Sequence, residues 1–334
     1  MITKPIAKEY IYLDWNIFQN MKHSYNNDNI EAKELEKIIF KLSKKYFFPY
    51  SGAHLEDLVV STEKNSNFIS EDLGYLKNVS NGFLIGRIEE LNNELRIEKF
   101  SVVKAYKQIK ENYKFEKSIK INFNIPEFEP IKVDLSQLNK YNMFYPYLEK
   151  NDSIFDNKVL NDFMENFIKN INTAEFMNNY RKNVMELNQT FKNIQNSILD
   201  QNSIYFKNIE DFLSCMEIIN IESFQKDFKK YLKSFFLATE FDAGENKPLD
   251  YKIYKSFCLL DYSPLFKEKF NKKNKPSNAR RDSNHLYFAS KAKYFITEDK
   301  NLYEKVKFIG EVFNLKLKVL KMTEFLNKFN SVDL

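Results

Sequence analysis

Four apolar residues in a row, Tyr10 to Leu13, stop abruptly at Asp14, and apolar residues resume at Ile17 and Phe18. Such a run predicts a short buried strand over residues 9–14 with a carboxylate at its C-terminal tip. Leu35, Ile38, Ile39 and Leu42 follow at helical spacing, with Glu and Lys on the other face. Tyr46-Phe47-Phe48-Pro49-Tyr50 predicts a second short strand, and Ala53 to Leu58 starts another helix. The C-terminal region repeats this order. A helix is expected from Asp282 to Lys291, a strand over Tyr294–Thr297, a helix over Asn301–Ile309 and an alternating strand over Leu315–Leu320, before a last helix capped by Thr323. Strands alternating with helices imply parallel pairing through right-handed crossovers.

Between residues 66 and 245 the pattern changes. Phe155, Val159, Leu160, Phe163, Met164, Phe167, Ile168 and Ile171 mark one helical stripe, most of it expected as core, and a second helical region runs over 204–237. Ile119, Ile121, Phe123 and Ile125 alternate, which predicts one extended segment. Asp242 to Pro248 and Asn271 to Asn278 read as loops. The expected architecture is a discontinuous α/β domain from residues 1–65 and 246–334, a parallel sheet flanked by helices, with a large, mostly α-helical insertion over 66–245.

Composition agrees with a folded chain. Of the 334 residues 43% are hydrophobic and 16% aromatic, and 32 Phe and 20 Tyr beside six Gly favour long helices over tight turns. The net charge of +5 permits nucleic-acid binding without demanding it. Cys215 and Cys258 fit no zinc or redox spacing and read as free thiols of a reducing compartment. Lys4, Lys8 and Glu9 interrupt any signal-peptide core, and no apolar run approaches the roughly 20 residues that span a bilayer. A cytoplasmic location with no membrane partner is expected.

Four acids occupy related places in this order. Asp14 ends the first strand, Asp57 or its neighbour Glu56 begins the helix after the second, Asp282 opens a helix, and Asp299 follows the strand Tyr294–Thr297. Parallel strands share one C-terminal edge, which brings Asp14 and Asp299 together, with Asp57 and Asp282 near it. Carboxylates so crowded do not all stay ionised without cations, and hard oxygen donors favour Mg²⁺ or Mn²⁺. Metal-assisted phosphodiester hydrolysis is the chemistry this pattern suits. Each acid also has an ordinary reading. Asp14, Asn16 and Asp282 can cap helices, and Asp299 can begin a turn. His54 and His285 read first as structural or phosphate-contacting residues, and Arg280 and Arg281 either meet phosphate or face solvent.

Leu13-Asp14-Trp15-Asn16-Ile17-Phe18 resembles the opening Asp-x-Asn motif of the PIN-domain nucleases. Asp282 to Ala289, followed by Tyr294-Phe295-Ile296-Thr297-Glu298-Asp299, is similar to their closing pattern, and Met322 to Leu326 resembles the segment that closes the fold. The likeness covers residues 9–60 and 280–328. It implies a PIN-like, Mg²⁺- or Mn²⁺-dependent nuclease, foremost an endoribonuclease, with Asp14, Asp282 and Asp299 as metal-site acids. Asn16 would then orient the first acid and Thr297 line the site. The second acid of that family is usually Glu. Here Asp57-Leu58 reproduces the acid–Leu pair, so Asp57 is preferred and Glu56 is the alternative. RNA is the expected partner, with a protein partner or inhibitor conceivable on the insertion, and a toxin or antiviral-defence role is compatible with the chain. Two rival readings are an inactive PIN-like module that binds RNA or protein, and a metal-independent HEPN-type ribonuclease, whose loose Arg-x4-6-His pattern Arg280 and His285 fit.

Overall fold

The computed structural model describes residues 8–24, 29–62, 67–88, 94–118, 127–136, 144–182, 184, 211, 214–240, 243–266, 268–271 and 275–330. It is a mixed α/β protein, predominantly helical, with three small sheets among the described residues. The strands are β1 (Ile11–Leu13), β2 (Tyr50–Ser51), β3 (Phe83–Ile88), β4 (Glu94–Lys99), β5 (Ile131–Lys132), β6 (Ile154–Phe155), β7 (Tyr294–Ile296) and β8 (Lys318–Leu320). Among the described residues the N-terminal part carries the helices α1 (Trp15–His23), α2 (Ile30–Leu42), α3 (Gly52–Thr62), α4 (Ile69–Ser80) and α5 (Val102–Ser118). Later come α6 (Tyr145–Lys150), α7 (Asn157–Asn170), α8 (Ile221–Glu240), α9 (Leu249–Leu260), α10 (Ser277–Ala289), α11 (Lys300–Val312) and α12 (Met322–Asn330). Residues 174–182 are also helical.

β1, β7 and β8 form a wholly parallel sheet in that order, with Leu13 opposite Ile296 and Ile296 opposite Leu320. The two ends of the chain therefore meet in one sheet, as the repeated pattern implies. β2 pairs parallel with β3, and β3 antiparallel with β4. A parallel bridge between Tyr10 and Phe47 stitches these two sheets together, with Ile11 N donating to Phe47 O at 2.9 Å.

β1 is buried on both faces, and its alternation separates two cores. Tyr10 and Tyr12 pack with residues of α8 to α11, including Phe228, Phe257, Leu286 and Val306. Ile11 and Leu13 pack with α1 to α3, including Ile17, Leu35, Ile39 and Leu58. β7 divides in the same way, with Phe295 in the first core and Tyr294 and Ile296 in the second. Each fully buried apolar side chain of this kind contributes about 1.5–3 kcal/mol.

Several boundaries differ from the expectation. The second strand is only Tyr50–Ser51, with Phe47 as an isolated bridge, because Pro49 has no N–H to give a ladder. The helix expected to open at Asp282 starts at Ser277, directly after Pro276, so Asp282 lies in its second turn and is no cap. The last helix begins at Met322, where Lys321 N is held by Glu324 Oε2 and Met322 N by Glu298 Oε1, so Thr323 does not cap it. Packing does not break at residue 66. β3 pairs with β2, and Leu73, Leu76, Val79, Val102, Ala105 and Tyr106 share a core with Ile11 and Leu13. The segment around Ile119 to Ile125, and residues 204–210 of the second helical region, lie outside the described residues. No helix among the described residues is long and apolar enough to cross a membrane.

Candidate active site

Asp14 follows β1 and starts α1, so its carboxylate is fixed by its own neighbours. Trp15 N donates to Oδ1 at 2.7 Å, while Asn16 Nδ2 and Thr297 Oγ1 donate to Oδ2, each at 2.7 Å. Asp14 is both a helix cap and a buried charge, and burial raises its pKa against the pull of His285 and Thr297. Thr297, at the end of β7, also accepts from Asp299 N at 3.1 Å. Asn16 Oδ1 accepts from Glu298 N at 3.3 Å, closing a ring that ties β1 to β7.

α3 and α10 bring the next groups. Asp57 Oδ2 meets His285 Nε2 at 2.9 Å, and Asp57 Oδ1 meets Arg281 Nε at 2.9 Å. His285 Nε2 also lies 3.9 Å from Asp14 Oδ1. Arg281 and His285 are one turn apart on α10, so one helical face delivers both to the same carboxylate. Burial works against a charge on His285, but the hydrogen bond and charge of Asp57, with Asp14 and Asp282, outweigh it and raise its pKa. Glu56 accepts from Asn284 Nδ2 at 3.3 Å, and burial, opposed by Arg280, raises its carboxyl. Of the adjacent pair, Asp57 is the one that shares His285 with Asp14.

Asp282 is half-buried and has no hydrogen-bond partner among the described residues. Burial and the neighbouring Asp57 push its carboxyl up to about 8. Behind it lies a second charged group, in which Lys305 Nζ meets Asp261 Oδ1 at 3.1 Å and Glu268 Oε1 at 2.7 Å. Arg181 Nη2 lies 3.0 Å from Asp261 Oδ2. Asp299 stands apart. It is exposed, and its Oδ1 accepts from Asn301 N and Leu302 N as the cap of α11. Its link to Asp14 runs through Thr297.

Residues with no acid character complete the centre. Tyr12 Oη lies 2.9 Å from His285 Nδ1 and 2.7 Å from Ser51 Oγ. Ser51 N donates to His54 Nδ1 at 2.9 Å, and His54 Nε2 donates to Leu13 O at 2.7 Å. Because Leu13 O only accepts, the His54 proton sits on Nε2. Burial first, then the nearby His285, pushes His54 down to about 3, so it is neutral and structural. Tyr12, Ser51 and Lys305 are the participants that pattern reading passes over. A tyrosine in an apolar run reads as core, and only the fold reveals the partner of its hydroxyl 273 residues away.

Asp14, Asp57 and Asp282 are hard oxygen donors, and two of the three hold their protons unusually high, so their chemistry fits a divalent cation. In this arrangement His285 and Arg281 supply the positive charge, and among the described residues no set of three or more His, Cys, Asp or Glu is gathered at coordinating positions. Compared with family models, with curated proteins and with solved structures, the chain matches none.

Proposed function

We propose that this chain is a PIN-like, divalent-metal-dependent nuclease that hydrolyses phosphodiester bonds, with RNA as its substrate. The observation that carries the reading is that Asp57 and Asp14 lie 2.9 and 3.9 Å from His285 Nε2, with Asp282 one turn earlier on the helix that carries His285. A cluster so rich in acid is costly to bury without a catalytic or metal-binding purpose.

Asp14, Asp57 and Asp282 would hold Mg²⁺ or Mn²⁺, with Asp299 joined to Asp14 through the Thr297 hydroxyl. When bound, the ion supplies charge that polarises a phosphate and lowers the pKa of a water. Asn16, Thr297 and the Trp15 amide hold the Asp14 carboxylate in one orientation. Tyr12 fixes the ring of His285, which in turn fixes Asp57. Arg281 has a guanidinium beside the cluster that suits a phosphate oxygen. Water oxygen attacks phosphorus, the bond from phosphorus to the 3′ oxygen breaks, and that oxygen takes up a proton. The products are a 5′-phosphate and a 3′-hydroxyl.

Cleavage of a labelled RNA in Mg²⁺ or Mn²⁺, its loss in EDTA and its loss in Asp14→Asn test the proposal. Cleavage unaffected by EDTA would assign the chain to a metal-independent mechanism. RNA binding without cleavage under any metal would make it an inactive module.

A further inference from the structure

A groove lies between α4, the β3–β4 hairpin and α5, and it shares no lining residue with the carboxylate cluster. Its main cavity encloses about 790 Å³, and an adjoining cavity of about 510 Å³ shares Lys77, Gly82, Phe100 and Ser101 with it. Lys77, Lys99, Lys107 and Lys110 line the two cavities, and among the described residues no Asp or Glu does. In a chain with 51 basic and 46 acidic residues, that segregation gives the groove a strongly positive field.

Among the described residues none of the four lysines has a carboxylate partner. Lys110 lies over the Tyr106 ring at 5.8 Å and Lys99 over the Phe83 ring at 5.3 Å, contacts that do not neutralise an ammonium charge. Both walls are built by helical periodicity. Ser70, Gly74, Lys77 and Asn81 recur along one face of α4 and its C-terminal cap, while Val103, Lys107 and Lys110 recur along one face of α5. The α4 wall is recessed at Gly74, where an added Cβ meets nothing within 4 Å. α5 begins in the groove, so the positive end of its dipole adds to the lysines.

Lysines on two walls, with the part-exposed ring of Phe100 between them, form the kind of surface that follows a sugar–phosphate backbone and stacks its bases. A single phosphate needs no groove of this size. An acidic protein segment would match the charge but has no flat base to lay on Phe100. We propose that this groove binds single-stranded nucleic acid, at a place separate from the carboxylate cluster. α5 packs on α3, which carries Asp57, so the bound strand lies one helix away from the cluster.

The test is fluorescence anisotropy with the full chain in EDTA, using a fluorescein-labelled oligouridylate and its thymidylate counterpart. Lys77→Gln, Lys99→Gln, Lys107→Gln and Lys110→Gln combined should weaken binding about tenfold or more and flatten the log–log salt dependence by about 3. Gly74→Glu should weaken binding as a single change, and Gly74→Lys should tighten it. Both fold readily, because Glu and Lys are better helix formers than Gly and the position is open. Binding of RNA, DNA or both supports the groove, and their ratio states its preference. Unchanged affinity and salt slope in the four-lysine variant, with native circular dichroism, overturns the proposal, as does equal binding by Gly74→Glu and Gly74→Lys. Competition by polyglutamate as strong as that by unlabelled oligouridylate also overturns it and assigns the groove to an acidic protein segment. These measurements read binding alone, so they stand or fall independently of the cleavage chemistry.

Discussion

His285 Nε2 sits 2.9 Å from Asp57 Oδ2, joining a helix near the C-terminus to one near the N-terminus through a single buried imidazole. Its other nitrogen meets the Tyr12 hydroxyl at 2.9 Å, so the ring cannot turn without losing a partner on either side. Replacing His285 by Ala removes both contacts and leaves Asp57 with Arg281 alone. The expected loss is about 2–3 kcal/mol. Tyr12→Phe should lose about 1 kcal/mol. Because the two residues touch, the double variant should lose less than the sum, as read from urea midpoints.

Asp282 makes the pH dependence of stability testable. Its folded pKa, pushed up to about 8, exceeds the unfolded value, so the folded state holds the proton more firmly. That contribution is complete below about pH 4 and disappears as pH rises through 8. Asp282→Asn should therefore flatten the fall in melting temperature between pH 5 and pH 9. The gain over the parent chain at pH 9 should be about 1–2 kcal/mol, allowing for the partial exposure of the side chain. Mg²⁺ should raise the melting temperature of the parent more at pH 9 than at pH 5, and should do less for Asp282→Asn.

His54 has the opposite sign. Its folded pKa of about 3 lies below the unfolded value, so the stability it brings is present at neutral pH and is lost as pH falls below about 6.5. Imidazole nitrogen spectra should show His54 neutral with its proton on Nε2 from pH 8 down to pH 5. A shift of that signal near pH 6.5 would contradict the assignment.

Two glycines should respond oppositely to alanine. Gly244 has φ +70°, and an added Cβ would lie 2.5 Å from a carbon of the Phe236 ring. Gly244→Ala is expected to cost about 2 kcal/mol or more through strain and overpacking. Gly74 is helical with open space beside it, so Gly74→Ala should stabilise by about 0.5–1 kcal/mol. Thermal melts of the two variants check both signs.

Asp14→Asn keeps a helix-capping side chain, so the fold should survive within about 1 kcal/mol. RNA cleavage in Mg²⁺ should nevertheless drop about 10²-fold or more, since the charge at the end of β1 is gone. A normally folded variant that cleaves as fast as the parent would remove Asp14 from the chemistry.

How much of this was readable depends on the type of signal. β1 and Asp14 were legible because an apolar run that halts at a charge is a local event. α10 and its acid were legible as a unit, but its start was not. Asp282 looks like a cap, and only the placement of Pro276 moves the first turn back to Ser277. β3 and β4 lay in a stretch expected to be helical, although Glu94-Leu95-Arg96-Ile97-Glu98 alternates as a strand does. That Asp57 lies near Asp14 followed from the order of strands and helices, but the place of His285 between them did not. The hydrogen bonds of Tyr12 and Ser51 did not, because a hydroxyl's partner is a property of the assembled core. Asp299 shows the converse. Its position was legible, yet its carboxylate is turned onto the amides of α11.

β1 pairs in register with β7, which lies more than 280 residues further along the chain. A ribosome-bound chain carries Asp14 and Asp57 long before it carries Asp282, His285 or the strand that receives β1. Whatever the cluster does, it can do nothing until the C-terminal strands have left the ribosome. A product truncated before α10 holds only part of the set. The split arrangement thus leaves every unfinished copy without the assembled cluster.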